Sequence, residues 1–365
     1  MQLKYIDEFR DPRLAEGVVA KIRATWEGRP PMRMMEVCGT HTVAIARAGI
    51  RTLLEGVVTL ISGPGCPVCV TPGEYIDAAI GLGKRPDTIL ATFGDMLRVP
   101  GKRSSLEKER AQGIDARVLY SPLDAVELAA KTPGREVVFL GVGFETTAPS
   151  IAGAILAAAE RGIANFSVLS SVRTIPRAME VLASDPEVGI EGFLCPAHVS
   201  AIIGSDAYRP VAERFRVPCV VAGFEPLDIL CGIYLLLLQK KRGAATVENE
   251  YTRVATPGGN AKALDVIGKV FRPCDTAWRG IGLLPGTGLR IADEYATFDA
   301  ERKFGVELSL EAEKTACRCG DVLKGKITPP QCPLFGEACT PEEPYGPCMV
   351  SSEGSCAAYF KYGVA

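Results

Sequence analysis

The chain has 365 residues, enough to bury a real core and to form two or three domains. Apolar residues make up 47% of it and charged residues 23%, and the formal net charge of −2 gives no footing for capture of nucleic acid or of an anionic membrane surface. Residues 1–13 are charged and lack the apolar core of a signal peptide, and the most apolar stretch, 229–238, is too short to cross a bilayer. A cytoplasmic location is expected.

In chain order, short apolar runs alternate with amphipathic helical stretches from about residue 32 to 242, the pattern of a parallel α/β protein. Strands are predicted at 33–37, 57–61, 88–92 and 117–120, then at 136–140, 166–170, 192–194 and 218–222. Helices are predicted at 147–161, 175–183 and 226–240, the last containing the apolar stretch as a buried helix. Four strands followed by four, with Gly143-Phe144-Glu145 echoed by Gly223-Phe224-Glu225, suggest two related half-domains. Thr132-Pro133-Gly134 marks the break between them. The expected fold class is α/β: parallel-sheet half-domains at 32–131 and 132–242, with residues 1–31 and 243–365 forming a Cys-rich cluster domain. Around 259–270 the pattern is helical; beyond it regular periodicity fades.

Thirteen cysteines without an export signal argue for metal ligation or redox chemistry rather than a secreted disulfide framework. There are only two histidines, and each sits three residues after a cysteine. In open parallel sheets, functional groups collect on loops at the carboxyl ends of strands. The first strand runs into Cys38-Gly39-Thr40-His41-Thr42, the second into Gly63-Pro64-Gly65-Cys66-Pro67-Val68-Cys69, and the seventh into Cys195-Pro196-Ala197-His198. A shared cleft is expected there.

Cys66-Pro67-Val68-Cys69 precedes Thr71-Pro72-Gly73-Glu74, which reads as a capping box. A helix N-terminus just downstream favours thiolate, which suits a reversible dithiol/disulfide couple; half of a zinc site is the competing reading. Cys38, with a glycine, two threonines and a histidine beside it, reads as a ligand or nucleophile as well as a small buried hydrophobe. His41 could ligate metal, donate a hydrogen bond or move a proton. Cys195 and His198 share the loop placement, but a buried cysteine and a capping histidine explain them equally. Gly141-Val142-Gly143 lacks the third glycine of a dinucleotide loop and leads into a helix. Cys219, Cys231 and Cys274 read as core residues.

The last fifty residues carry six cysteines among many prolines, too little apolar material for a large core. Cys317, Cys332, Cys339 and Cys356 supply four thiolates suited to wrapping a 4Fe-4S cluster, although their spacing matches no simple ferredoxin pattern and zinc stays open. Cys319 and Cys348 interleave with them, either as a thiol pair relaying electrons between the cluster and Cys66–Cys69, or as alternative ligands.

The Cys-Gly-Thr-His-Thr, Gly-Pro-Gly-Cys-Pro-Val-Cys and Cys-Pro-Ala-His-Val-Ser segments, in this order and followed by the four C-terminal cysteines, resemble the HypD family of NiFe hydrogenase maturation factors over essentially the whole chain. That resemblance implies two related α/β domains and a cluster domain. It further implies a scaffold on which an iron atom acquires cyanide and carbon monoxide as Fe(CN)2CO, in company with a HypC-type small chaperone and a HypE-type cyanide donor. By match to the motifs, Cys38 would be the iron-binding thiolate, His41 a hydrogen-bonding or proton-donating neighbour, and Cys66 and Cys69 the redox pair. The competing reading from another class is a disulfide reductase resembling ferredoxin–thioredoxin reductase.

Overall fold

The computed structural model describes residues 7–308 and 316–363; the first six residues of the charged N-terminus lie outside them. Among the described residues there are eleven strands: β1 (Met32–Glu36), β2 (Val58–Ser62), β3 (Thr88–Thr92), β4 (Ala116–Val118), β5 (Glu136–Gly143), β6 (Phe166–Arg173), β7 (Gly192–Pro196), β8 (Cys219–Ala222), β9 (Val247–Asn249), β10 (Phe271–Trp278) and β11 (Gly282–Ile291). The first eight coincide with the predicted strands to within a few residues. The predicted helices appear as Ala148–Glu160, Ile175–Ser184 and Pro226–Lys241. Among the described residues no helix is long and apolar enough to cross a membrane.

The strands form two sheets. One has the order β2-β1-β7-β8-β9 and is wholly parallel. The other has the order β10-β11-β6-β5-β3-β4, parallel from β6 to β4, with the antiparallel β10–β11 hairpin added against β6. The α/β class with two parallel-dominated sheets is as expected, but the sheets do not divide at residue 131. β1 and β2 pair across the chain with β7 and β8, while β3 to β6 stay together, so 32–131 and 132–242 each contribute to both sheets. Buried parallel strands are apolar on both faces, and such runs do not encode which neighbour they will pair with.

The grouping of residues 1–31 with the C-terminal segment also differs from the packing. Helix Pro12–Trp26, capped by Asp11 accepting the Arg13 N–H at 2.8 Å, buries Ile22 and Trp26 against Met32, Met34, Ile233 and Leu237. Each such fully buried aliphatic side chain contributes about 1.5–3 kcal/mol. Helix Pro226–Lys241 thus serves as the floor for the N-terminal helix, and most of its apolar stretch is buried, as predicted, with Cys231, Tyr234, Leu235 and Leu238 half-buried. Residues 247–291 supply three strands to the sheets, which leaves 316–363 as the compact cysteine-bearing unit.

Candidate functional site

Because β2, β1, β7 and β8 are adjacent and parallel, their carboxyl ends lie side by side. They deliver the Cys66–Cys69, Cys38 and Cys195–His198 loops, and Gly223-Phe224, to one edge. The contacts are close. Gly39 N–H donates to Gly65 O at 3.1 Å, and a Cβ on Gly65 would lie 2.2 Å from Cys38 N. Only glycine lets the two cysteine loops meet backbone to backbone.

Cys38 caps helix Gly39–Arg47 in an extended conformation and is 8% exposed. Burial pushes its thiol up to about 11, and the Glu353 carboxylate adds to this, against the lowering by the His41 and Thr40 amides. Buried His41 directs Nε2 at two carbonyl oxygens, Gly223 O at 2.8 Å and Ala222 O at 3.1 Å, so Nε2 carries the proton. Burial depresses its pKa to about 4, leaving a neutral ring whose buried Nδ1 has no hydrogen-bond partner among the described residues. Nδ1 is therefore an acceptor; the Nε2–H that a proton donor would use is committed to the β8 end. Phe224 packs between the two histidines, its ring centroid 4.8 Å from that of His41 and 4.4 Å from that of His198.

The C-terminal unit closes over this edge through Glu353. Thr40 Oγ1 donates to Glu353 Oε1 at 2.7 Å, and a Cβ on Gly39 would stand 2.5 Å from Glu353 O. Sequence reasoning missed Glu353, since a lone acid between serine and glycine carries no signal of its own.

The second cysteine set begins where the first ends. Cys69 N–H donates to Cys66 Sγ at 3.3 Å, and the Cys69 thiol contacts that of Cys348. The Cys348 thiol also touches Cys319 and Cys356, and Cys319 touches Cys317. Sulfur contacts thus run without a break from the dithiol loop into the C-terminal unit. There Cys317, Cys319, Cys332, Cys339, Cys348 and Cys356 line one cavity of about 10 Å³, room for roughly one water. The rest of its lining is Val322, Leu334, Phe335, Gly346 and Met349. Six soft thiols with no hard carboxylate oxygen among them fit an iron–sulfur centre by donor chemistry. The thiols are closed up on one another, and among the described residues no group of three or more His, Cys, Asp or Glu side chains is spaced as a ligand shell.

Two local expectations are corrected. Thr71 does not cap the helix after the dithiol: its Oγ1 donates to Pro67 O at 2.8 Å, Pro72 takes the N-cap position, and the helix is Gly73–Gly83. Nor does that terminus activate Cys69, whose thiol burial pushes well above its ordinary value. Cys195 is fully buried with its thiol against that of Cys219, whereas His198 is exposed. Cys219 is a core residue as expected, while Cys231 and Cys274 are only half-buried.

A family profile described as "HypD: Hydrogenase formation hypA family" matches residues 13–363. The hydrogenase maturation factor HypD of Azotobacter vinelandii is 48% identical over 99% of this chain and 97% of its own length. That of Rhodobacter capsulatus is 46% identical over 100% of this chain and 99% of its own. The Escherichia coli K12 factor is 43% identical over 99% and 98%. With its motif loops gathered at one sheet edge and these relatives matched end to end, the chain belongs to the HypD family of hydrogenase maturation factors.

Proposed function

We propose that the protein is a cytoplasmic scaffold on which the Fe(CN)2CO unit of NiFe hydrogenase is assembled, with iron as cargo at Cys38, a HypC-type chaperone sharing that iron and a HypE-type protein delivering cyanide. The observation that carries this reading is the continuity of the two cysteine sets: the Cys38 loop rests backbone to backbone on the Cys66–Cys69 loop, and from Cys69 thiol contacts run on to Cys348.

In this reading Cys38 loses its proton as iron binds, since burial holds the free thiol protonated. His41, neutral and anchored by two carbonyls, offers Nδ1 as an acceptor beside the cargo. Cys66 and Cys69 close to a disulfide by giving up two electrons and two protons, and reopen by the reverse. A 4Fe-4S cluster on Cys317, Cys332, Cys339 and Cys356 would supply one-electron transfer, with Cys319 and Cys348 between it and the dithiol. A diffusible disulfide substrate has poor access, because Cys66 is 3% and Cys69 0% exposed, which favours the scaffold over a free-standing reductase.

Infrared spectroscopy of protein purified anaerobically from cells co-expressing its partners tests this. Cyanide and carbonyl stretches are expected on the wild type and absent from Cys38→Ala. Full-intensity bands in Cys38→Ala remove Cys38 from the site.

A further inference from the structure

A second cavity, of about 280 Å³, lies where β6 meets the β10–β11 hairpin, bounded by Tyr75 of helix Gly73–Gly83 and Glu301 of helix Ala300–Phe304. Its volume falls just below the range of about 300–1,000 Å³ for ordinary small-molecule sites, which suits a compact ligand. One of its walls is the side chain of Arg173, the last residue of β6, only 2% exposed. Arg173 Nη1 donates to Ser171 O at 3.0 Å and Ser171 Oγ at 2.6 Å, and Nη2 to Ala277 O at 2.8 Å. The guanidinium stands 5.9 Å from the Trp278 ring centroid. Nε has no hydrogen-bond partner, and Arg173 makes no ion pair among the described residues.

Among the described residues no carboxylate pairs with this cation: of the acids that line the cavity, Glu74 is held by Lys102 and Asp275 accepts the Gly286 N–H at 2.8 Å. Besides the carbonyls and the serine hydroxyl, the ionisable groups that face it most closely are Tyr75 and Cys274, and burial raises both pKa values and keeps them protonated. The cavity's other arginines are already engaged, Arg290 with Asp293 at 3.2 Å and Arg302 with Asp293 at 2.8 Å and Asp299 at 3.3 Å. Burial raises Glu301 to about 7, so near neutrality its carboxyl is a hydrogen-bond donor in much of the population rather than a fixed negative charge. An arginine stays charged in a protein interior and normally brings its counter-anion with it. Among the described residues no counter-anion pairs with Arg173, and a polar cavity stands beside the charge.

We propose that this cavity binds a compact oxyanion, the carboxylate or phosphate of a small metabolite or free phosphate, with the Arg173 guanidinium as its counter-charge and Thr276 and Ser171 hydroxyls in its wall. The site is separate from the cysteine cavity, although Ala277 and Trp278 continue into Arg279, whose N–H donates to Val70 O at 2.8 Å beside Cys69.

The protein has two tryptophans, so Trp26→Phe leaves Trp278, next to Arg173, as the sole tryptophan, excited selectively above the tyrosine band. That variant is titrated with inorganic phosphate and, separately, with acetate, each at constant ionic strength against chloride. A saturable fluorescence change with at least one is expected: phosphate alone assigns a phosphate site, acetate alone a carboxylate site. Arg173→Gln should abolish the change and Arg173→Lys weaken it at least tenfold. As a check independent of those variants folding, the anion should slow iodoacetamide alkylation of Cys274, which lines the cavity and is half-buried, several-fold in the wild type, read by peptide mass mapping. Absence of saturation by both anions, an undiminished response in folded Arg173→Gln, or unprotected Cys274 at saturating anion overturns the proposal.

Discussion

The Cys69 thiol lies against the thiol of Cys348, joining the loop after β2 to the last helical turns of the chain. Mild oxidation should therefore yield Cys66–Cys69 and Cys319–Cys348 disulfides. In Cys66→Ala the orphaned Cys69 should instead be captured by Cys348, linking the two ends of the protein. Burial holds the Cys69 thiol well above its ordinary pKa, so exchange should speed up as pH rises through 7 to 9 and more thiolate forms. Non-reducing peptide mapping reads all three links; Cys69 left free in oxidised Cys66→Ala would break the relay.

The strands and the loops after them were legible because an apolar run ending in glycine and cysteine is a local signal. Sheet order was not, since β1 and β3 are both short apolar runs and nothing in either says that one joins β7 and the other β5. The β10–β11 hairpin was hidden for a related reason: β10 contains Pro273 and its burial alternates irregularly across a register shift between Cys274 and Thr276. In the site, Cys38 and His41 announced themselves by rarity. Glu353 and Arg173 did not, because their roles arise from contacts between distant segments. The thiolate-activating helix terminus after Cys69 was a sound local inference overruled by burial.

Glycine positions separate contact from conformation. At Gly65 a Cβ would meet backbone atoms of Val37 and Cys38 at 2.2–2.4 Å, and backbone cannot swing aside as a side chain can. Gly65→Ala should cost about 3 kcal/mol, the upper end for overpacking, and part the two cysteine loops. Gly81, inside helix Gly73–Gly83, has nothing within 4 Å of its would-be Cβ, so Gly81→Ala should gain about 0.5–1 kcal/mol. Urea unfolding of both variants measures this, and equal behaviour would refute the close approach.

Single alanine replacements of Cys317, Cys332, Cys339 and Cys356 should each cost cluster absorption and acid-labile sulfide in anaerobic protein and loosen the 316–363 unit. Cys38→Ala should spare the chromophore and shift stability by no more than about 1–2 kcal/mol. Iron and sulfide at wild-type levels in all four C-terminal variants would exclude this ligand set, and zinc in place of iron would exclude the cluster.

Cys195 offers a control for Cys38. Cys38 follows β1 and Cys195 lies near the end of its parallel neighbour β7, but the Cys195 thiol faces Cys219 within the core and is 0% exposed. Cys195→Ala should leave a small void, cost about 1–2 kcal/mol, and leave the cyanide and carbonyl bands intact. Loss of the bands at unchanged stability would transfer the cargo site from Cys38 to Cys195.

Glu145, at the end of β5, is 4% exposed; its Oε1 accepts the Ile175 N–H at 2.9 Å, while Oε2 is buried without a hydrogen-bond partner among the described residues. Burial raises its pKa from 4.5 to about 7, against a lesser lowering by backbone hydrogen bonds. Between those two values the folded carboxyl holds more proton than the unfolded one, so unfolding releases protons and stability falls as pH rises. The penalty is absent below about pH 4.5 and complete above about pH 7, where it reaches about 3 kcal/mol. Glu145→Gln keeps an oxygen for Ile175 and never ionises. It should match the wild type at pH 5 and exceed its stability at pH 8 by up to about 3 kcal/mol, as read from urea midpoints. A variant whose stability parallels the wild type across that range would mean that Glu145 does not titrate there.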